Sequence, residues 1–165
     1  MVEEKTVSWI TSSPEQTERL GELLARLLDK GDVVALSGDL GGGKTTLTRG
    51  IARGMDVPDQ YVIQSPTFTL INEYPGRVPL FHLDLYRIEV LRDGAELGLE
   101  EYLEPEGVSV IEWAEKLGPE LPSSALVVEL GYLGEYTRSI VIRAKTEKAR
   151  HLLKALAESY PPERS

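Results

Sequence analysis

A chain of 165 residues with a formal net charge of −9 is long enough to bury a real core and too acidic to show a nucleic-acid footprint in its totals. It has no cysteine, so disulfides and thiolate metal sites are excluded. No apolar run approaches a membrane span and the N-terminus is charged rather than signal-like, so the expectation is one cytoplasmic domain over 1–160 with a frayed tail at 161–165, meeting neither membrane nor DNA.

In chain order, Thr6 to Thr11 alternates as a strand does. Ser13-Pro14-Glu15-Gln16 then reads as a helix start: Ser13 caps, Pro14 fits the first helical position and Gln16 completes a capping box. Leu20, Leu23, Leu24, Leu27 and Leu28 follow at helical spacing. Asp32 to Ser37 is a short apolar strand, and Thr46 to Arg53 has helical character.

Between that strand and that helix stand Gly38, Asp39, Leu40, Gly41, Gly42, Gly43, Lys44 and Thr45, a full match to the phosphate-binding loop G-x-x-x-x-G-K-[ST]. The glycines let the main chain curl so that several N–H groups face an anion, and the helix dipole favours negative charge at the same place. Lys44 reaches the β and γ phosphates, and the Thr45 hydroxyl takes one position on Mg²⁺. A glycine-rich surface turn leaves the strand–loop–helix order unexplained.

The segment from Pro58 to Pro66 is a loop. Thr67 to Tyr74 and Pro79 to Tyr86 read as an antiparallel hairpin around Pro75-Gly76, so the sheet is expected to be mixed. Asp93 to Tyr102 is a short acidic helical stretch. Val108 to Ile111 is a buried strand ending at Glu112, Ala125 to Leu130 and Arg138 to Ala144 are strands around a Gly131–Gly134 turn, and Thr146 to Tyr160 is a closing amphipathic helix.

A phosphate loop needs a further carboxylate for Mg²⁺, usually at the end of a neighbouring buried strand. Asp84 and Glu112 both end apolar runs. One would hold the cation and the other would orient or deprotonate the attacking water; the bland alternative for each is a solvated strand-end acid. Ser65-Pro66-Thr67 lies where a nucleotide-sensing loop would sit, though from position alone plain turn chemistry before a strand accounts for it slightly better. Arg87 is an arginine finger in cis or an ion-pair partner for the acids. His82 alternates with Asp84 and shares its face, as a residue supporting the site. Trp113 either covers the site or only packs.

G-D-L-G-G-G-K-T-T, followed by S-P-T-F-T-L, H-L-D-L-Y-R and I-E-W, resembles the TsaE (YjeE) family of bacterial ATPases, in the family's order and within its compact length. Gly42, commonly Ala in relatives, is the one departure in the loop. The resemblance implies a three-layer α/β P-loop domain with a mixed central sheet. It also implies a part in making N6-threonylcarbamoyladenosine on tRNA, where the ATPase binds the TsaD–TsaB complex and supports its repeated turnover. It carries over a nucleotide site at Gly38 to Thr46, Mg²⁺ positions at Thr45 and Glu112, and an essential acid, Asp84, near the γ-phosphate. Catalytic roles then fall to Lys44, Asp84 and Glu112, with ATP and Mg²⁺ as cofactors. Thr11, Ser13 and Arg138 are the flanking candidates for adenine contact, and tRNA is met only through the partners.

Competing readings are a small-molecule kinase, a GTPase-like switch and a scaffold that binds ATP without hydrolysing it. A kinase would need an Arg-rich lid that is not evident. A GTPase would need an Asn-Lys-x-Asp motif, and the only Asn is Asn72.

Overall fold

The computed structural model describes residues 3–38, 43–66, 71–86 and 106–162. The acidic stretch at 93–102, the centre of the phosphate loop at 39–42, Thr67, Arg87 and residues 163–165 lie outside these.

Strands β1 (Lys5–Thr11), β2 (Val33–Gly38), β3 (Ile71–Tyr74), β4 (Leu80–Asp84), β5 (Val108–Glu112), β6 (Leu126–Tyr132) and β7 (Arg138–Ala144) form one sheet in the order β1-β7-β6-β2-β5-β4-β3. The central strands β6, β2, β5 and β4 run parallel. The outer pairs β6–β7, β7–β1 and β4–β3 are antiparallel, so the sheet is mixed. Central strands must be apolar on both faces, and Val33 to Leu36 and Val108 to Ile111 are buried throughout.

Helices α1 (Pro14–Leu27), α2 (Lys44–Gly54) and α3 (Glu147–Ser159) cover one face. Leu20, Leu24, Leu47, Ile51, Leu153 and Leu156 from these helices meet Val34, Leu36, Val110 and Val128 of the sheet. On the other face Val33, Ala35, Leu83 and Ile111 pack under Ala114 and Leu117 of a 3₁₀ segment, Ala114–Glu120. The architecture is α/β, with the phosphate-loop helix on the helical face.

Local chemistry explains the element ends. Ser13 Oγ accepts from Gln16 N at 3.1 Å, while the Gln16 side chain accepts from Ser12 N at 2.7 Å, one residue before the position a strict capping box uses. Thr146 caps α3 by accepting from Ala149 N. Strand β4 stops at Asp84, two residues short of the expected Tyr86, because the Asp84 carboxylate accepts from Tyr86 N and turns the chain. Strand β6 runs on through Gly131 and Tyr132, which pair with Ser139 and Arg138, so the turn expected at Gly131–Gly134 begins after Tyr132. The 3₁₀ segment has no apolar periodicity to announce it. Among the described residues no helix is long and apolar enough to cross a membrane.

Candidate active site

Three parallel strands deliver the site to one end of the sheet. Gly38 ends β2 with φ of 134° and passes so close to β6 that a Cβ there would meet the Leu130 carbonyl oxygen at 2.2 Å. Only glycine satisfies both the backbone angle and that approach. Gly43, at φ of 100°, caps α2 without a side-chain bond. No acidic residue occupies the first turn of α2, so its N–H groups and the positive end of its dipole face the cleft unopposed by a side chain of that turn.

Lys44 is buried, and its Nζ donates to the Gly38 carbonyl at 2.8 Å. The same ammonium lies 4.2 Å from the centroid of the Trp113 ring, and Tyr86 packs against that ring at a tilt of 47° with centroids 5.1 Å apart. Trp113 holds a left-handed backbone, φ 61° and ψ 37°, an uncommon conformation for a bulky residue, where β5 gives way to the 3₁₀ segment.

Asp84 and Glu112 are Cα partners in the parallel register of β4 and β5. Both are buried, at 2 % and 3 % exposure, which removes the alternative of solvated strand-end acids. Side chains alternate along a strand, so Leu80, His82 and Asp84 point to the face that carries α2, as do Val110 and Glu112. Asp84 Oδ1 accepts from Tyr86 N at 2.8 Å, and its Oδ2 accepts from the Ser65 hydroxyl. Glu112 Oε2 meets His82 Nε2 at 2.6 Å.

A cleft of about 460 Å³ opens between the α2 N-terminus and this pair. Its floor is Gly43, Lys44, Thr45 and Thr46; its walls are Ser65, Asp84, Tyr86, Glu112 and Trp113, with Arg138 at one side. Trp113 thus covers the cleft besides packing. His82 is fully buried behind Glu112 and does not line it. Thr11 and Ser13 are also outside the lining: the Thr11 hydroxyl is bonded to that of Thr17 at 2.6 Å, and Ser13 is occupied as the α1 cap. Arg138 also borders a small recess formed with Pro14, Thr17, Thr46, Glu135 and Tyr136. Asp39, Leu40, Gly41, Gly42, Thr67 and Arg87 lie outside the described residues.

Reading the sequence alone missed Tyr86 and the recess residues Thr17 and Tyr136. Tyr86 follows Asp84 by two and was open to inference; Thr17 and Tyr136 reach the cleft's flank through β-pairing of distant segments, for which no local signal exists.

The donor set suits a hard cation. The Thr45 hydroxyl and two carboxylates are oxygen donors, the class Mg²⁺ prefers. Among the described residues no three His, Cys, Asp or Glu side chains converge to hold a metal by themselves.

Residues 11–140 match the family model described as threonylcarbamoyl adenosine biosynthesis protein TsaE. The tRNA threonylcarbamoyladenosine biosynthesis protein TsaE of Bacillus subtilis is 38% identical over 154 residues, covering 93% of this chain and 95% of that protein. The protein of the same name from Treponema pallidum is 39% identical over 133 residues, covering 81% and 97%, and that from a Nostoc strain is 43% identical over 150 residues, covering 86% and 90%. The crystal structure of Bacillus subtilis YdiB superposes with a TM-score of 0.82 at 34% identity, covering 96% of this chain and 99% of that one.

Proposed function

The chain belongs to the TsaE family, and from that premise we propose that it is a Mg²⁺-dependent ATPase that supports N6-threonylcarbamoyladenosine modification of tRNA, binding the TsaD–TsaB complex and enabling its repeated turnover. The observation that carries the reading is the single cleft in which the α2 N-terminus, Lys44 and Thr45 face a buried pair of carboxylates.

In this reading the α2 amides and Lys44 bind the triphosphate oxygens, and Thr45 with Glu112 holds Mg²⁺. The bound cation supplies charge neutralisation at the phosphates. Asp84 lies beside the γ-phosphate and orients the attacking water. Its two oxygens already accept from the Ser65 hydroxyl and Tyr86 N, which fixes the carboxylate plane. Trp113 and Tyr86 wall the cleft against bulk solvent.

The chain alone hydrolyses ATP slowly. Transition-state charge on the transferred phosphoryl group calls for an arginine, and Arg138 is the arginine that lines the cleft among the described residues. Its Nη1 donates to the Gly134 and Thr137 carbonyls at 2.6 and 2.9 Å, which keeps it with its own hairpin. The partner completes the site by ordering Ser65–Thr67 or by supplying the missing group. Contact with tRNA runs through the partners, in keeping with the net charge of −9, and the setting is the cytoplasm, where ATP and tRNA are.

ATP hydrolysis is measured on the intact chain with and without purified TsaD–TsaB, beside tRNA modification over many turnovers. Slow hydrolysis that rises with the complex is expected. Equal rates in both conditions overturn the partner's role, and no hydrolysis in either overturns the enzyme.

A further inference from the structure

We propose that His82 is a positioning residue for the cation site: its Nε2–H holds Oε2 of Glu112 and leaves Oε1 as the oxygen offered to Mg²⁺. The inference rests on the reading of Glu112 as a cation contact. His82 Nε2 and Glu112 Oε2 are 2.6 Å apart, with side chains 0 % and 3 % exposed. A carboxylate offered to a cation only accepts, so in that reading the hydrogen between them belongs to Nε2. Nδ1 is buried and has no hydrogen-bond partner among the described residues. A bare ring nitrogen tolerates that position better than an N–H with no acceptor, which favours the hydrogen on Nε2 over Nδ1.

The register makes the contact specific. His82 pairs with Val110 across the parallel ladder, and Asp84 pairs with Glu112. His82 is therefore the diagonal neighbour of Glu112 on the shared face, one pleat deeper than Asp84. The imidazole reaches Glu112 from beneath and cannot enter the cleft. With one oxygen fixed from the protein side, the carboxylate loses the rotation that would otherwise have to be frozen when the cation arrives. Outer partners of this kind typically change metal affinity or activity by about 10–100-fold when removed.

The chain has two histidines, and His151 is exposed on α3, so a ¹⁵N spectrum of the ring nitrogens is readily assigned with a His151→Gln variant. His82 is expected to show a protonated Nε2 and a bare Nδ1. A ring carrying hydrogen on Nδ1 overturns the proposal, whatever the chain does with ATP. Mg²⁺ titrations of ATP binding then compare the wild type with His82→Gln, whose amide N–H falls near Nε2, and with His82→Leu. His82→Leu should need about ten-fold more Mg²⁺ at the midpoint or worse, and His82→Gln should restore the midpoint to within about three-fold. A folded His82→Leu with the wild-type midpoint overturns the positioning role. If His82→Leu does not fold, a ten-fold loss in folded His82→Gln does so instead. A wild type whose ATP binding ignores Mg²⁺ refutes the cation reading itself, a different result from either.

Discussion

The Lys44 ammonium is held between the Gly38 carbonyl, 2.8 Å away, and the Trp113 ring, 4.2 Å from its centroid. Cation–π attraction is worth about 0.5–2 kcal/mol, whereas a charge-assisted bond to a phosphate oxygen is worth about 1.5–3 kcal/mol. A triphosphate bound as proposed would therefore draw Lys44 off the ring. Lys44→Ala should weaken ATP binding by about 1.5–3 kcal/mol, roughly ten- to hundred-fold, as read by calorimetry. Unchanged affinity ends the assignment of the loop. The same displacement changes the surroundings of Trp113 and leaves Trp9, buried and bonded to the Tyr160 carbonyl, undisturbed, so an ATP-dependent fluorescence change should survive Trp9→Phe and vanish in Trp113→Phe.

Glu112→Gln keeps the volume of a fully packed strand end and removes its charge. The glutamine carbonyl still accepts from His82, so the fold should persist with an unaltered far-UV spectrum. The cation loses a charged oxygen, and the Mg²⁺ midpoint for ATP binding should rise by about 1.5–3 kcal/mol, again roughly ten- to hundred-fold. A superimposable Mg²⁺ titration would make Glu112 a bystander.

How much of this was legible in advance follows from the range of each interaction. The phosphate loop, the apolar strands ending at Asp84 and Glu112, and the α1 cap are local patterns, and Gly43, Lys44, Thr45, Asp84 and Glu112 stand together in the cleft, while the cap residue Ser13 lies outside it. Mixed sheet topology followed from one tight turn at Pro75-Gly76, since β3 and β4 had to be antiparallel. The left-handed Trp113 and the 3₁₀ segment carry no sequence period. The burial of both acids could not be read at all, because a strand-end carboxylate looks the same whether solvent or a neighbouring strand faces it. The strand order that sets β5 between β2 and β4, and so brings His82 to Glu112, is a long-range fact with no local signature.

Packing of the phosphate-loop helix gives a test of stability that does not involve nucleotide. A Cβ on Gly50 of α2 would lie 2.0 Å from the Glu18 carbonyl oxygen of α1, a backbone atom that cannot swing away. Alanine gains about 1 kcal/mol over glycine in a helix interior, but overpacking costs about 1–3 kcal/mol, and a clash that must separate two helices falls in the upper half of that range, about 2–3 kcal/mol. The clash wins. Gly50→Ala should lose about 1–2 kcal/mol net, a melting temperature lower by roughly 2–8 °C. A scan showing equal or higher stability would mean that α1 and α2 are not held this close.

Ser65 and Asp84 offer a test of whether the loop before residue 67 speaks to the acid proposed to orient water. The Ser65 hydroxyl donates to Asp84 Oδ2 while Tyr86 N holds Oδ1. In Asp84→Asn the amide oxygen keeps the Tyr86 turn, and the amide N–H₂ turns to Ser65, whose hydroxyl accepts as readily as it donates. The fold should survive and the charge beside the γ-phosphate should not, so hydrolysis should drop by about 10²–10⁴ while ATP affinity changes little. Ser65→Ala leaves the charge but removes one hydrogen bond that orients the carboxylate; a bond to a charged group is worth about 1.5–3 kcal/mol, so turnover should fall roughly ten- to hundred-fold. If Ser65 acts through Asp84, the double variant is no slower than Asp84→Asn alone, because the second change removes a contact that no longer matters. Single-turnover rates for the four proteins decide it: additive losses would place Ser65 in some other role, and non-additive ones couple the loop to the acid.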